Sequence, residues 1–146
     1  MRTKKKSGSI WQESMRVGLP ALDQERKNVF ELLELLEVRP LYSLASEAFS
    51  SRFVVVHAAL ERFIQYEESV LREYPVPDET RRLHVADHER IRTELNRIQL
   101  DSINKKNQTA LDVYKSLRTQ IKKHVLTFGV EISKYIPSSE AVKETV

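Results

Sequence analysis

The sequence of residues 60–91, LERFIQYEESVLREYPVPDETRRLHVADHERI, contains two amphipathic segments separated by Pro75-Val76-Pro77. In both segments the apolar residues recur at spacings of three and four, which is the period of a helix with one buried face. The prolines end the first helix because proline lacks the N–H that an inner turn needs. Asp78 is a suitable N-cap for the next helix. The stretch therefore predicts two neighbouring antiparallel helices packed at a shallow angle, as in a helical bundle.

The same spacing extends in both directions from this stretch and predicts four helices. Pro20 is a favoured first-turn residue for the first helix, and Thr109 is a suitable N-cap for the fourth. The predicted ranges are 20–37, 41–74, 78–100 and 109–135, with an arm over residues 1–18 that includes Trp11 and a flexible tail over 137–146. We expect one all-α domain spanning residues 1–146, an up-down-up-down antiparallel four-helix bundle with an N-terminal arm.

Composition and charge restrict the classes of function. The chain has 146 residues and no cysteine, which excludes disulfides, thiolate metal sites and cysteine nucleophiles. No signal-peptide pattern and no run of about 18 apolar residues is present, so we expect a cytoplasmic protein with no membrane partner. The net charge of +3 reflects the basic run Arg2, Lys4, Lys5 and Lys6. Such a run could touch nucleic acid, but without an aromatic and basic platform we interpret it as a solvated terminus.

Six polar residues fall in the apolar stripes of the predicted helices. They are Arg26, Glu67, His84, His88, His124 and Glu131. Burying an unpaired charge is costly, so residues in these positions must be paired or must bind a metal. At ~1.5 Å of rise per residue, all six lie about 6–16 Å from the same end of the bundle, the end with the Pro75–Pro77 turn. The pattern predicts one polar cluster.

Four of these residues form a plausible set of metal ligands. His84 and His88 are four residues apart, so both imidazoles lie on one helix face. With His124 and Glu67 they offer three nitrogens and one carboxylate oxygen, a set that suits Zn²⁺ or Fe²⁺. The alternative is structural: inward histidines are often hydrogen-bonded core residues, and a glutamate in a stripe is often a surface residue.

The ordered motifs resemble those of the hemerythrin family. The matching segments are Trp11 to Asp23, Glu67 to Leu71 followed by Tyr74 and Pro77, His84-x-x-x-His88, and His124-Val125. The resemblance extends from about Ile10 to Tyr135. It implies a four-helix bundle that holds a pair of irons through five histidines and two carboxylates, and that binds or senses O₂.

Three of the seven ligand positions that the resemblance implies are changed in this chain. Glu67, His84, His88 and His124 stand at ligand positions. Arg26 and Phe63 stand where the family has the two histidines of the second iron, and Gly129 stands where it has a bridging aspartate. The resemblance therefore implies a site for one ion, and ordinary O₂ carriage by two irons would need at least two substitute donors.

The first hypothesis is a metal-binding protein with one Fe or Zn ion that stores or senses metal, or binds O₂, peroxide or another small ligand. The alternative is a metal-free interaction or regulatory module with a vestigial site and a protein partner. We identify no catalytic constellation and expect no enzyme activity. Arg26 either occupies the space of the second metal and pairs with Glu67 or Glu131, or turns outward to solvent. Phe63 is expected to fill the volume of the lost imidazole.

Overall fold

The computed structural model describes residues 15–36, 47–103 and 109–137. These ranges contain four α-helices: α1, Pro20–Leu33; α2, Glu47–Glu73; α3, Asp78–Ile103; and α4, Ala110–His124. Helix α1 packs against α2 and α4, and α3 also packs against α2 and α4. The predicted all-α class is confirmed, and the packing is consistent with a helical bundle.

The helix ends differ from the predicted ones in three places. The last predicted turn of α1 is a tighter 3₁₀ helix over Glu34–Leu36. Helix α3 continues to Ile103, into the predicted loop. Helix α4 ends as an α-helix at His124, well before Tyr135. The predicted start of α2 at Leu41, the arm around Trp11 and most of the tail lie outside the described residues.

The segment that leads into α1 is held by a buried aspartate. Gly18 has a φ of 93°, a left-handed conformation that glycine adopts without strain. This turn lets both oxygens of Asp23 accept backbone N–H groups, from Val17 at 2.8 Å and Gly18 at 3.2 Å. Leu19 is extended and Pro20 begins the helix. The segment therefore returns to the core, where the side chain of Met15 is buried.

The turn between α2 and α3 is closed by an arginine. Arg81 donates from Nε to the carbonyl of Leu71 at 3.2 Å and from Nη2 to the carbonyl of Val76 at 2.8 Å. The end of α2 leaves carbonyl groups without helical partners, and a guanidinium near a helix C-terminus satisfies them. Val76 itself is buried. The short Pro75–Pro77 connection thus fixes where α3 begins beside α2.

Helix α4 begins with a capping box and ends in a π segment. The side chain of Thr109 accepts the N–H of Asp112, and the side chain of Asp112 accepts the N–H of Thr109, both at 3.2 Å. The predicted cap is therefore confirmed. From Val125 to Gly129 the chain forms a π-helix, with the Val130 N–H donating to the Val125 carbonyl at 2.8 Å. A 3₁₀ helix over Glu131–Tyr135 follows.

The core is built from the apolar stripes of all four helices. Its buried members include Leu22, Phe30, Leu33, Phe53, Leu60, Phe63, Ile91, Leu95, Ile98, Leu117 and Ile121. Among the described helices, none combines the length and the apolar character that crossing a membrane requires.

Candidate metal centre

The structure brings Glu67, His84, His88 and His124 together; we call them the Glu–His cluster. The side chain of Glu67 extends from α2, those of His84 and His88 from α3, and that of His124 from the end of α4. The Nε2 atoms of the three histidines lie 2.9, 2.8 and 2.9 Å from one atom, Oε1 of Glu67. All four residues are buried, with exposures of 1% or less. Each offers a ligand atom within 4.8 Å of the others, so the cluster could hold a metal ion.

The three imidazoles pack against one another, and two phenylalanine rings pack against His84 and His124. The imidazole centroids are 4.6 Å apart for His84 and His88, and 4.9 Å apart for each of the other two pairs. The fully buried ring of Phe63 meets His124 edge-on at 6.1 Å. Phe128 lies 5.6 Å from His84 and 5.7 Å from His124. Apolar walls of this kind exclude water and strengthen electrostatic interactions within the site.

Two carboxylates that the sequence analysis missed contact the outer nitrogens of the cluster. Nδ1 of His88 lies 2.8 Å from Oε2 of Glu68, and Nδ1 of His124 lies 2.7 Å from Oδ2 of Asp87. Their positions in the sequence could have suggested a role, because Glu68 directly follows Glu67 and Asp87 directly precedes His88. Sequence spacing alone does not choose which of the many acids on α2 and α3 reaches an imidazole on another helix.

Arg26 points inward and binds the other oxygen of Glu67. Its Nη2 and Nε donate to Oε2 of Glu67 at 2.8 and 3.3 Å, and its Nη1 donates to the carbonyl of Met15 at 2.9 Å. Both side chains of the ion pair are completely buried. The guanidinium therefore leaves only Oε1 facing the histidines. Of the two predicted arrangements, the structure has the inward one.

Gly129 makes the space for this guanidinium. A Cβ at residue 129 would lie 2.5 Å from Nη2, 2.9 Å from Cζ and 3.3 Å from Nη1 of Arg26. Any side chain at this position would therefore overlap the arginine. Arg26 and Gly129, which are far apart in the sequence, therefore pack directly against each other.

Glu131 does not take the place that its spacing predicted. It is half-buried, and within the described residues Arg26 pairs with Glu67 and not with Glu131. The reason is the π segment, which adds about one residue to the turn and rotates the stripe. After His124 the buried residues are Val125, Gly129 and Ile132, while Phe128, Glu131 and Tyr135 are only half-buried. The prediction assumed an unbroken α-helix to Tyr135.

Opposing charges keep the buried carboxylate of Glu67 and the half-buried carboxylate of Asp87 ionised. Burial alone would raise the pKa of Glu67, but the charges of His124 and Arg26 hold that pKa well below its ordinary value. Burial also acts to raise the pKa of Asp87, but hydrogen bonds from His124 and Arg90 keep that pKa low. The cluster therefore offers a carboxylate, which is the form that binds a cation.

The pKa values of His84 and His124 are shifted in opposite directions. Burial lowers the pKa of His84 and outweighs the attraction of Glu67. Burial also acts to lower the pKa of His124, but Glu67 and Asp87 together raise it. His84 therefore favours the neutral form that ligates metal, whereas His124 favours a positive charge at the centre of the cluster.

The arrangement of atoms favours a cation between Oε1 and the imidazoles. A neutral imidazole whose Nδ1 donates to a carboxylate has a lone pair on Nε2, which repels the lone pairs of Oε1. Protons on the nitrogens or a bound cation relieve that repulsion. Three N–H groups on one oxygen exceed the lone pairs of that oxygen, whereas one cation satisfies all four atoms at once. The geometry therefore fits a metal ion well.

Comparisons with known proteins give no relative. The chain matches no protein-family model. Searches of curated proteins and of solved structures also give no significant match.

Proposed function

We propose that this protein binds one divalent transition-metal ion, zinc or iron, through the Glu–His cluster. The observation that carries the proposal is the convergence of three Nε2 atoms on Oε1 of Glu67, while the Nδ1 atoms of His88 and His124 contact carboxylates. Metal-bound histidines usually donate the other ring N–H to a carboxylate or a carbonyl. Three nitrogens and one oxygen also suit borderline cations rather than Mg²⁺ or Ca²⁺.

The residues fit such an ion with a small expansion. In tetrahedral coordination with bonds of ~2.1 Å, the ligand atoms lie ~3.4 Å from each other. The present Nε2 to Oε1 distances are 2.8–2.9 Å. The separation of Oε1 from the three Nε2 atoms must therefore increase by about 0.5 Å, by rotation of the Glu67 and histidine side chains. The chain itself supplies the ligands, fixes Glu67 in a one-oxygen mode and excludes water with Phe63 and Phe128.

We further propose that the fold is an up-down-up-down bundle with an N-terminal arm, of the hemerythrin type. In this proposal Arg26, Phe63 and Gly129 replace the ligands of a second metal, and the guanidinium supplies the positive charge that the second ion would contribute. The site would then store or sense one metal ion, or present it to O₂, peroxide or another small ligand. A pair of irons has no place beside the Arg26–Glu67 ion pair.

The experiment is elemental analysis of protein purified without a histidine tag, before and after reconstitution with Fe²⁺ or Zn²⁺. We expect about one ion per chain, by the ligand count that four-coordinate sites show. His84→Ala and His124→Ala should lose it. His57→Ala is the matched control, because His57 is a half-buried histidine that lies beside Phe53, outside the cluster. Absence of metal after reconstitution would reject the proposal.

A metal-free interaction module is the second candidate. It is favoured by the mutual contacts of the cluster, since protonated imidazoles and Arg26 can neutralise Glu67 and the outer carboxylates without an ion. In that case the same elemental analysis gives no metal, and Zn²⁺ leaves the melting temperature of the protein unchanged. A rise in that temperature with Zn²⁺ decides against this candidate.

A further inference from the structure

Two chains of polar contacts run outward from the Glu–His cluster, and each crosses between two helices. In the first, Nδ1 of His88 on α3 contacts Glu68 on α2, and Arg92 lies 3.6 Å from Oε2 of Glu68. In the second, Nδ1 of His124 on α4 contacts Asp87 on α3, and Nε of Arg90 donates to Asp87 at 2.8 Å. Each chain runs in the order imidazole, carboxylate, arginine.

Each arginine is itself fixed by a second helix. Arg92 on α3 donates from Nη2 to Glu61 on α2 at 2.9 Å and from Nη1 to Glu89 at 2.6 Å. Arg90 on α3 donates from Nη1 to Gln120 on α4 at 2.7 Å. The carboxylates are therefore held from the outside as well as from the imidazole side, although their arginines are partly exposed.

A carboxylate at Nδ1 determines which nitrogen of a neutral imidazole carries the proton. An ionised carboxylate only accepts hydrogen bonds, so Nδ1 must donate and Nε2 keeps its lone pair. In both chains Nε2 is the atom that faces Oε1 of Glu67. The carboxylate also fixes the ring plane and increases the basicity of Nε2. His88 and His124 are thereby oriented with Nε2 toward the centre before any cation arrives, and a metal that binds His124 displaces the proton held on its Nε2.

We propose that Glu68 and Asp87 are positioning residues that set the metal affinity of the site, by holding His88 and His124 as Nδ1–H tautomers with Nε2 toward the centre. This inference rests on the proposed function and adds to it the residues that tune the affinity. Neither carboxylate is a metal ligand in this account. Both act through the imidazole that they contact.

The test is a Zn²⁺ titration of the full chain against a chromophoric chelator, with alanine variants of the two carboxylates. Glu68→Ala and Asp87→Ala should each weaken Zn²⁺ binding about 10- to 100-fold, the usual effect of removing an outer partner of a metal-bound histidine. Each variant has a matched control. Glu79→Ala and Glu94→Ala each remove an acid of α3 that pairs with the arginine three residues later, Arg82 and Arg97 respectively. Neither control residue contacts an imidazole of the cluster, so both controls should bind Zn²⁺ as the unaltered protein does.

A second measurement separates positioning from a general loss of structure. ¹⁵N NMR of the Zn²⁺-loaded protein should show protonated Nδ1 on His88 and His124, with the signal lost or shifted for His124 alone in Asp87→Ala and for His88 alone in Glu68→Ala. Should an alanine variant fail to fold, Asp87→Asn and Glu68→Gln keep the volume and are measured instead. They should show the same residue-specific NMR change, because an amide can offer an N–H to Nδ1 and favour the wrong tautomer.

The outcomes distinguish this inference from the proposed function. If the unaltered protein takes up neither Zn²⁺ nor Fe²⁺, the proposed function fails and this inference fails with it. If the unaltered protein binds one Zn²⁺ and the carboxylate variants bind it equally well with unchanged Nδ1 signals, the proposed function stands and the positioning role is rejected. A loss equal in the variants and in the controls Glu79→Ala and Glu94→Ala also rejects it, because the effect would then come from the loss of negative surface charge.

Discussion

Replacing Gly129 with alanine tests whether the glycine exists to accommodate Arg26. The added Cβ would lie 2.5 Å from Nη2 and 2.9 Å from Cζ of the arginine, so the guanidinium must move. It ends a flexible side chain, but it is completely buried and donates to both Glu67 and the carbonyl of Met15. Moving it therefore stretches those hydrogen bonds. Overpacking a buried site in this way costs about 1–3 kcal/mol.

The matched background is Arg26→Lys, which keeps a positive charge near Glu67 and removes both terminal nitrogens, while its Nζ takes about the place of Cζ. In that background the Cβ of Gly129→Ala no longer meets Nη2, the nearest atom, and meets only the end of a flexible side chain that can shift. Alanine is also favoured over glycine within a helix by about 1 kcal/mol. Gly129→Ala should therefore be neutral or mildly stabilising there, and the coupling free energy between the two changes should be about 1–3 kcal/mol, as for other residues in direct contact.

Urea unfolding of the four proteins, followed by circular dichroism, measures this coupling. We expect the Gly129→Ala midpoint to fall in the native background and to stay unchanged or rise in the Arg26→Lys background. Equal effects in the two backgrounds would refute the packing argument. An unchanged urea midpoint for Gly129→Ala in the native background would also refute it, because the Arg26 side chain would then have another conformation available at no cost.

Three further changes probe the charges around the cluster. Arg26→Ala leaves the carboxylate of Glu67 buried without its cation and should cost about 3–5 kcal/mol in urea unfolding; a loss below about 1 kcal/mol would contradict the buried ion pair. Because the folded pKa of Glu67 is held well below its ordinary value, its stabilising contribution is complete above the unfolded pKa of about 4.3 and is lost as the pH falls through that range toward the folded pKa. The urea midpoint should therefore fall with decreasing pH, and less steeply in Glu67→Gln; identical pH profiles would disprove this origin of the acid sensitivity. Glu131→Ala should change the free energy of unfolding by less than about 0.5 kcal/mol, because no ion pair with Arg26 is lost. A cost like that of Arg26→Ala would instead indicate that Glu131 pairs with Arg26.

The apolar stripes were predictable because burial has a simple signature in a helix. The first stripe, from Leu19 to Leu36, is buried at every predicted position. The polar interruptions were equally informative. Charged residues rarely occupy core positions unless they have partners, so Arg26, Glu67 and the three histidines could be expected to meet at one height of the bundle.

The failure at Glu131 has a definite physical cause. A π-helix forms when packing favours a shifted register over the regular hydrogen bonds, and no local residue signals it. In this chain the shift directs Val125 and Gly129 inward directly after His124. Gly129 then gives Arg26 its space, which is a three-dimensional relation between α1 and the end of α4. The sequence alone did not show that these two residues touch.

The outer carboxylates were beyond sequence reasoning for a related reason. Helix α3 carries many acids paired with arginines three residues later, including Asp87 with Arg90 and Glu94 with Arg97. These two pairs look alike in the sequence. Only the rotation of α3 against α4 determines that Asp87 reaches His124.

The central claim is that one ion is held by the Glu–His cluster, and anomalous diffraction from crystals grown with Zn²⁺ tests it most directly. We expect one anomalous peak per chain, ~2.1 Å from Nε2 of His84, His88 and His124 and from Oε1 of Glu67. Arg26 should remain on Oε2 of Glu67. A map with no peak at this position, or with two metal peaks and Arg26 turned to solvent, would contradict the account.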